Sequence, residues 1–318
     1  MESTEPVTTL QLAFIKNFIV FSTGVIPLLA VYLVYRFLVK KQDSSSLELP
    51  PGTTYSQTLS PSSLFSTSPS PYLSIVIPAY NEEKRLPYTL KRTFDFFSTL
   101  ASFDFEIIVV SDGSTDSTND FVKEFEGTHD GVFWVCLGKN MGKGFAVKAG
   151  VHFCKGQRIM FLDADGATEL NCFNQLNEEL NQSISKREGK AVVFGSRAHL
   201  VENVVIERST VRNFLMKCFH LAVWSVVGSK INDTQCGFKL FTKSAALEIF
   251  PFLHVNRWAF DVEVLYIAQS KMMEVKEIPV HWIEVAGSKL NVASDSIQML
   301  RDLVLIRVCY LLGLWSCK

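Results

Sequence analysis

Five short apolar runs recur along the chain: "LSIVIPAY" (73–80), "FEIIVVSD" (105–112), "VFWVCLG" (132–138), "RIMFLDAD" (158–165) and "KAVVFGSR" (190–197). Each is rich in β-branched residues and nearly continuous in apolar character. Between them lie segments with helical patterning, 82–99, 115–127, 142–154 and 169–180. Buried strands alternating with helices predict an α/β fold, a mostly parallel sheet covered on both faces. Ligands of such sheets bind at the carboxyl ends of the strands. The polar residues gather there: Asn81 and Glu82, Asp112, Asp163 and Asp165, Ser196 and Arg197.

Outside this region the pattern changes. After an N-terminal tail (1–16), the 19 residues "NFIVFSTGVIPLLAVYLVY" between Lys16 and Arg36 carry no charge. About 20 such residues span a bilayer as a helix, and a signal-peptide core is shorter. A single transmembrane signal anchor is therefore expected over 17–39. Arg36, Lys40 and Lys41 follow it, which places the C-terminal side in the cytosol. Residues 42–72 hold ten serines and five of the eleven prolines, so 40–72 is expected to be a flexible tether. The globular domain is expected over 73–290. The last segment, 291–318, contains "LRDLVLIRVCYLLGLW" (300–315), interrupted by Arg301, Asp302 and Arg307. That is too charged for a span and suits a helix lying on a membrane surface or packed on the domain.

Composition narrows the classes. A net charge of −1 gives no support to nucleic-acid binding, where a basic domain is expected. Seven cysteines without a C-x-x-C pair argue against a disulfide framework or a zinc site. "GKNMGKG" (138–144) is one residue short of a phosphate-binding loop and lacks the hydroxyl residue after Lys143. What survives is a helix opening at Gly142 and Gly144 beside Lys143, suited to an anion. In "FLDADGAT" (161–168), Asp163 and Asp165 of an extended chain share a face, about 6–7 Å apart. A divalent cation would relieve their repulsion; an ordinary polar turn is the alternative.

Several motifs in order resemble one family. "IVIPAYNEEKRL" (75–86), "IIVVSDGSTDST" (107–118), "NMGKGFAVKAG" (140–150), "FLDADGAT" and "GSR" (195–197) look like the family-2 glycosyltransferases of GT-A fold. "ERSTVRN" (207–213), "DTQCGFKLF" (233–241), "RWAFDVEVL" (257–265) and "EIPVHWIEVAGSKL" (277–290) resemble its dolichyl-phosphate sugar-transferase branch. The resemblance implies glucose transfer from UDP-glucose to dolichyl phosphate at the endoplasmic reticulum membrane, with the domain facing the cytosol. GDP-mannose as donor is the nearest enzymatic alternative, and an inactive membrane-tethered scaffold is the non-enzymatic one.

The resemblance also assigns residues. Pro78, Ala79, Tyr80, Asn81, Glu82 and Asp112 would hold uridine, with Lys143 and Asp163 completing the nucleotide site. For Glu82 the alternative is an acid at a helix start, and for Asp112 a tight turn capped by Asp116. "DAD" matches the family's D-x-D motif, so Asp163 and Asp165 would bind Mg2+ or Mn2+ with the diphosphate. Arg197, Arg208 and Arg212 would contact the acceptor phosphate. Asp261 would bind sugar hydroxyls or act as a base, unless it is an ordinary helix acid. Trp258 and His281 read more simply as structural residues, and Lys239 stands where relatives often carry arginine. No serine, cysteine or histidine nucleophile is evident, and an ionised phosphate acceptor needs none. Direct attack would invert the sugar. Two sequons, at Asn181 and Asn232, are expected to remain unglycosylated in a cytosolic domain.

Overall fold

The computed structural model describes residues 47–61, 64, 71–100, 104–203, 223–224, 226–228, 230–287 and 292–317. The expected anchor (17–39) and tail (1–16), together with Arg208 and Arg212, lie outside these residues. Among the described residues, no helix is long and apolar enough to cross a membrane.

Elements follow in the order β1 (Thr54–Tyr55), β2 (Leu73–Ala79), α1 (Leu86–Thr99), β3 (Phe105–Ser111), α2 (Thr118–Glu126), β4 (Val132–Cys136), α3 (Lys143–Phe153), β5 (Arg158–Leu162) and α4 (Cys172–Ile184). They continue with β6 (Ala191–Ser196), α5 (Ala198–Asn203), β7 (Phe238–Thr242), α6 (Lys243–Ile249), α7 (Phe260–Ser270), β8 (Glu274–Pro279) and α8 (Val292–Leu311). The described strands form one sheet in the order β1-β4-β3-β2-β5-β7-β6-β8. All five strands expected from the apolar runs are present.

The sheet is less uniform than that pattern suggested. β2 pairs in parallel with β3 and β5, and β3 with β4. β7 then intervenes, antiparallel to both β5 and β6. Two reversals restore the direction, so β6 ends at the same edge as β2, β3 and β5. β8 continues in parallel beside β6. That edge collects the residues after β2, β3, β4, β5 and β6, and the residue just before β7.

Strand side chains alternate between two cores, as a pleat requires. Leu73, Ile75 and Ile77 of β2, with Ile107 and Val109 of β3, pack with Leu90 and Phe97 of α1 and Phe173 and Leu176 of α4. On the opposite face lie α3 and α7, where the Phe161 and Phe260 rings meet at 5.8 Å. α7 is buried nearly all round, including Asp261 and Glu263 in its first turn.

The Ser/Pro-rich tether is shorter than expected. β1 pairs antiparallel with β4, Thr54 opposite Cys136 and Tyr55 opposite Val135. Ser56 N and Oγ both donate to Trp134 O, at 3.0 and 3.3 Å, and Leu59 and Leu64 are buried. Average composition concealed these anchoring residues within a polar background.

Helix α8 lies on the domain, the second of the two expected arrangements. Leu303, Ile306 and Cys309 are buried, and the Tyr266 and Tyr310 rings meet at 4.3 Å, tilted by 31°. Its outer face is apolar too: Ile297, Leu300, Val304 and Leu311 are exposed at helical spacing, with exposed Arg301 and Arg307 flanking that stripe.

Candidate active site

At the carboxyl edge of the sheet the expected residues converge. Ala79 ends β2, and its carbonyl accepts the Asp112 N–H at 2.8 Å. Tyr80 is exposed just beyond. Asn81 has φ 53°, a left-handed conformation that asparagine tolerates better than most residues. Its N–H donates to Ser114 Oγ at 3.0 Å, and its Oδ1 accepts the Thr115 N–H at 2.8 Å. The loops after β2 and β3 are thereby tied together. Asp116 Oδ1 accepts the Thr118 N–H at 3.0 Å, closing the turn just before α2. Glu82 is buried, and both of its oxygens are held by the Arg85 guanidinium.

Asp112 takes a specific structural part. Its Oδ1 accepts from Met141 N at 2.7 Å and its Oδ2 from Gly142 N at 2.8 Å. Burial raises its carboxyl above the usual range, and these two amides offset part of that rise. The chain after β4 is thus fastened beside β3, which sets the start of α3 and the backbone of Lys143.

Asp163 and Asp165 follow β5 directly, and both are partly exposed at the edge. Lys143 Nζ lies 2.6 Å from Asp163 Oδ1. Burial opposes the ionised form of Asp163, but Lys143, Lys239 and Arg197 outweigh it and hold the carboxyl below its ordinary value. Lys143 is shifted upward: burial disfavours its charge, yet Asp163, Asp261 and Asp165 more than compensate. Gly237, before β7, makes room for the Asp163 carboxylate. A Cβ there would lie 2.0 Å from Asp163 Oδ2, so only glycine fits. Asp165 differs from its neighbour. Its Oδ1 accepts the Ala167 N–H at 3.0 Å, and it makes no salt bridge among the described residues. The Ala167 bond is the geometry of the polar-turn reading.

Arg197 directly follows β6 and meets Asp233 through two side-chain bonds, Nε to Oδ2 at 2.8 Å and Nη2 to Oδ1 at 3.0 Å. Burial works against its charge, but Asp233 and Asp163 raise its pKa. A guanidinium carries five N–H donors, so the remaining ones are available to an anion. The Trp282 ring lies 5.4 Å from its Cζ.

Beneath the edge, Lys239 Nζ lies 2.8 Å from Asp261 Oδ1, and the two side chains are 0% and 2% exposed. Burial pushes the Asp261 carboxyl up, and Lys239 and Lys143 counter this only in part. The same lysine sits 4.6 Å from the centre of the Phe161 ring. The centre of the Trp258 ring is 5.8 Å from Lys143 Nζ, and the exposed His281 bonds through its backbone to Glu169 and Cys172. Burial pushes the Cys236 thiol up to about 12.

Sequence reasoning placed Asp233 in a sequon and in the "DTQCGFKLF" motif but missed its pairing with Arg197, and it missed the pairing of Lys239 with Asp261. Both sequon asparagines are exposed, and each is engaged in a side-chain hydrogen bond. Asn181 Oδ1 accepts from Arg158 at 2.6 Å, Asn232 Nδ2 donates to Glu277 at 3.0 Å, and Ser183 and Thr234 are buried.

The charges have a pattern. Arg85 with Glu82, Lys143 with Asp163, Arg197 with Asp233 and Lys239 with Asp261 form four neutral pairs. Asp112 and Asp165 enter no such pair among the described residues, Asp112 being held by two backbone amides instead. Hard carboxylate oxygens at Asp163 and Asp165, the latter outside any salt bridge among the described residues, fit a divalent cation that keeps waters and phosphate oxygens as its other ligands.

Comparison with known proteins adds a second line of observation. Residues 74–250 match the model of glycosyl transferase family 2. A dolichyl-phosphate beta-glucosyltransferase of Dictyostelium discoideum is 41% identical, covering 96% of this chain and 98% of that protein. The Homo sapiens protein of the same name is 43% identical over 78% of each chain. Among solved structures, glucosyl-3-phosphoglycerate synthase of Mycobacterium tuberculosis, in complex with Mn2+, UDP-glucose and phosphoglyceric acid, shares the fold at 17% identity. Its TM-score is 0.50, covering 76% of this chain and 80% of that one.

Proposed function

The chain belongs to glycosyl transferase family 2, and from that premise we propose that it transfers glucose from UDP-glucose to dolichyl phosphate. The observation that carries the reading is Asp165, outside any salt bridge among the described residues, beside the Asp163–Lys143 pair at the tip of β5. The names of its relatives supply glucose and dolichyl phosphate.

In this reading Pro78 to Glu82 and Asp112 frame the uridine, and Lys143 faces the diphosphate from the start of α3. Asp163 and Asp165 would hold Mg2+ or Mn2+, which supplies charge stabilisation to the diphosphate. Arg197, together with Arg208 and Arg212, positions the acceptor phosphate. One oxygen of that phosphate forms the new bond to the anomeric carbon. The bond to UDP breaks and its electron pair leaves with UDP, so α-linked glucose becomes β-linked. The nucleophile is already an anion, so no residue has to remove a proton. Asp261, buried against Lys239, serves as a support for the charged floor of the site.

The acceptor also locates the domain. A polyprenyl phosphate remains in a bilayer, so the site works at a membrane surface, here that of the endoplasmic reticulum, with 17–39 as the anchor. The outer stripe of α8, apolar with arginines on both flanks, suits the interface of an anionic membrane. In protein reconstituted into phosphatidylserine vesicles, replacing Leu300, Val304 and Leu311 together with serine is expected to speed hydrogen exchange in α8 while leaving the melting temperature unchanged. Unchanged exchange in α8 would remove it from the membrane contact.

Purified full-length protein with dolichyl phosphate tests the activity against UDP-glucose, UDP-galactose and GDP-mannose. Dolichyl β-glucosyl phosphate is the expected product, from UDP-glucose alone, and EDTA should abolish its formation. Preferred use of GDP-mannose would overturn the donor assignment. Transfer insensitive to chelation would overturn the metal assignment.

A further inference from the structure

Glu263 is fully buried in the first turn of α7 and does not face the strand-end edge with Asp261. Four groups surround its carboxylate. Oε2 accepts from His254 N at 2.9 Å and Val255 N at 2.7 Å. Oε1 lies 2.8 Å from His254 Nδ1 and accepts from Tyr310 Oη at 3.0 Å. An ionised carboxylate only accepts, so Nδ1 is the protonated ring nitrogen here. The four bonds use the four favourable lone-pair directions of the group. His254 also stacks on Trp315, rings 4.2 Å apart and 5° from parallel, and Tyr310 meets Trp315 edge-on at 5.6 Å.

What Glu263 holds is the loop behind the donor site. Phe145 N donates to Asn256 O at 3.0 Å, and Lys148 Nζ donates to Leu253 O at 2.9 Å. Loop and helix start are pressed together. A Cβ on Gly142 would lie 2.5 Å from Asn256 O, and one on Gly144 would lie 2.8 Å from Val255 O. The turn bearing Lys143 is therefore clamped from two sides, by Asp112 on one and by the 253–257 loop on the other. The second clamp depends on Glu263, and through Tyr310 on the end of α8.

We propose that Glu263 is a positioning residue for donor binding: it fixes the 253–257 loop against the Lys143 turn and makes Tyr310 of the C-terminal helix part of that support. The proposal rests on the reading of this edge as a nucleotide-diphosphate site. Lys143 reaches Asp163 from a backbone whose place is set by two carboxylates. Loosening one of them displaces the ammonium from the diphosphate position. Geometry at a charged site is sensitive on the ångström scale, so the effect falls on nucleotide affinity.

Calorimetric titration of the full-length protein with UDP and Mn2+, well below the melting temperature, tests this. Glu263→Gln turns one acceptor into an amide donor facing donors, and should weaken UDP binding about ten-fold or more. Tyr310→Phe keeps the ring and three of the four bonds, and should weaken it about two- to five-fold. Tyr310→Phe carries the test where Glu263→Gln does not fold. Glu106 is the control. It is also a buried acid, bonded to Ser74 Oγ and Lys155 N, but at the opposite end of β3. Glu106→Gln should lower the melting temperature and leave UDP affinity within two-fold. Unchanged UDP affinity in folded Glu263→Gln and Tyr310→Phe would overturn the proposal. So would an equal loss in Glu106→Gln, which would assign the effect to stability alone. Wild-type protein that binds no UDP would overturn the donor-site reading itself.

Discussion

Replacing Asp165 with asparagine is expected to lower glucosyl transfer about 10²- to 10³-fold, the scale seen when one preorganised electrostatic partner of a reacting group is removed. The fold should survive. Asparagine retains an Oδ1 that can accept the Ala167 N–H, the one side-chain bond Asp165 makes in the turn. No salt bridge among the described residues is broken, so no charge is left without its partner. Loss of function and retention of structure thus separate cleanly at this position. The same change at Asp163 would not be as informative, because Lys143, 2.6 Å away and largely buried, would lose its counter-charge. Transfer is followed by chromatography of the glucosylated lipid, and folding by thermal unfolding. Full activity in a folded Asp165→Asn protein would show that the acid serves only the turn.

Asp165 also illustrates how far the sequence could be read. An apolar run ending in "DAD" declares a strand and two acids on one face, because both facts follow from local spacing. The strand ends at Glu82, Asp112, Asp163 and Arg197 were legible for the same reason. What escaped notice depends on residues far apart in the chain. Arg197 and Asp233 are joined across 36 positions, and local periodicity carries no sign of that. β7 was hidden by Lys239, a charge at the second position of a five-residue strand that only a distant acid explains. β8, "EVKEIP", lies at the sheet margin with partial burial along nearly its whole length, so it lacks the apolar density of the others. β1 is two residues long within a Ser/Pro-rich stretch. The place of α8 was ambiguous because both of its long faces are apolar. Its buried face could be identified only from contacts with α7, such as Tyr310 with Glu263.

The pair that obscured β7 gives the largest expected effect on stability. Lys239 and Asp261 are 0% and 2% exposed and 2.8 Å apart. Removing one member of a buried pair strands the other charge, which costs about 3–5 kcal/mol, whereas replacing both with apolar groups is often close to neutral. Asp261→Asn should therefore destabilise the protein by about 3–5 kcal/mol in denaturant unfolding, a large part of a typical domain's stability. The double variant Lys239→Met/Asp261→Leu should lose much less. Turnover of the two proteins, compared at a temperature where both are folded, then decides what Asp261 does. A base that takes a proton from an acceptor would be missing from both, and both would be inactive. A support that neutralises Lys239 has no task left once Lys239 is gone, so the double variant should keep transfer within about ten-fold of wild type, a change of about 1.4 kcal/mol in barrier. An inactive, well-folded double variant would return Asp261 to the chemistry.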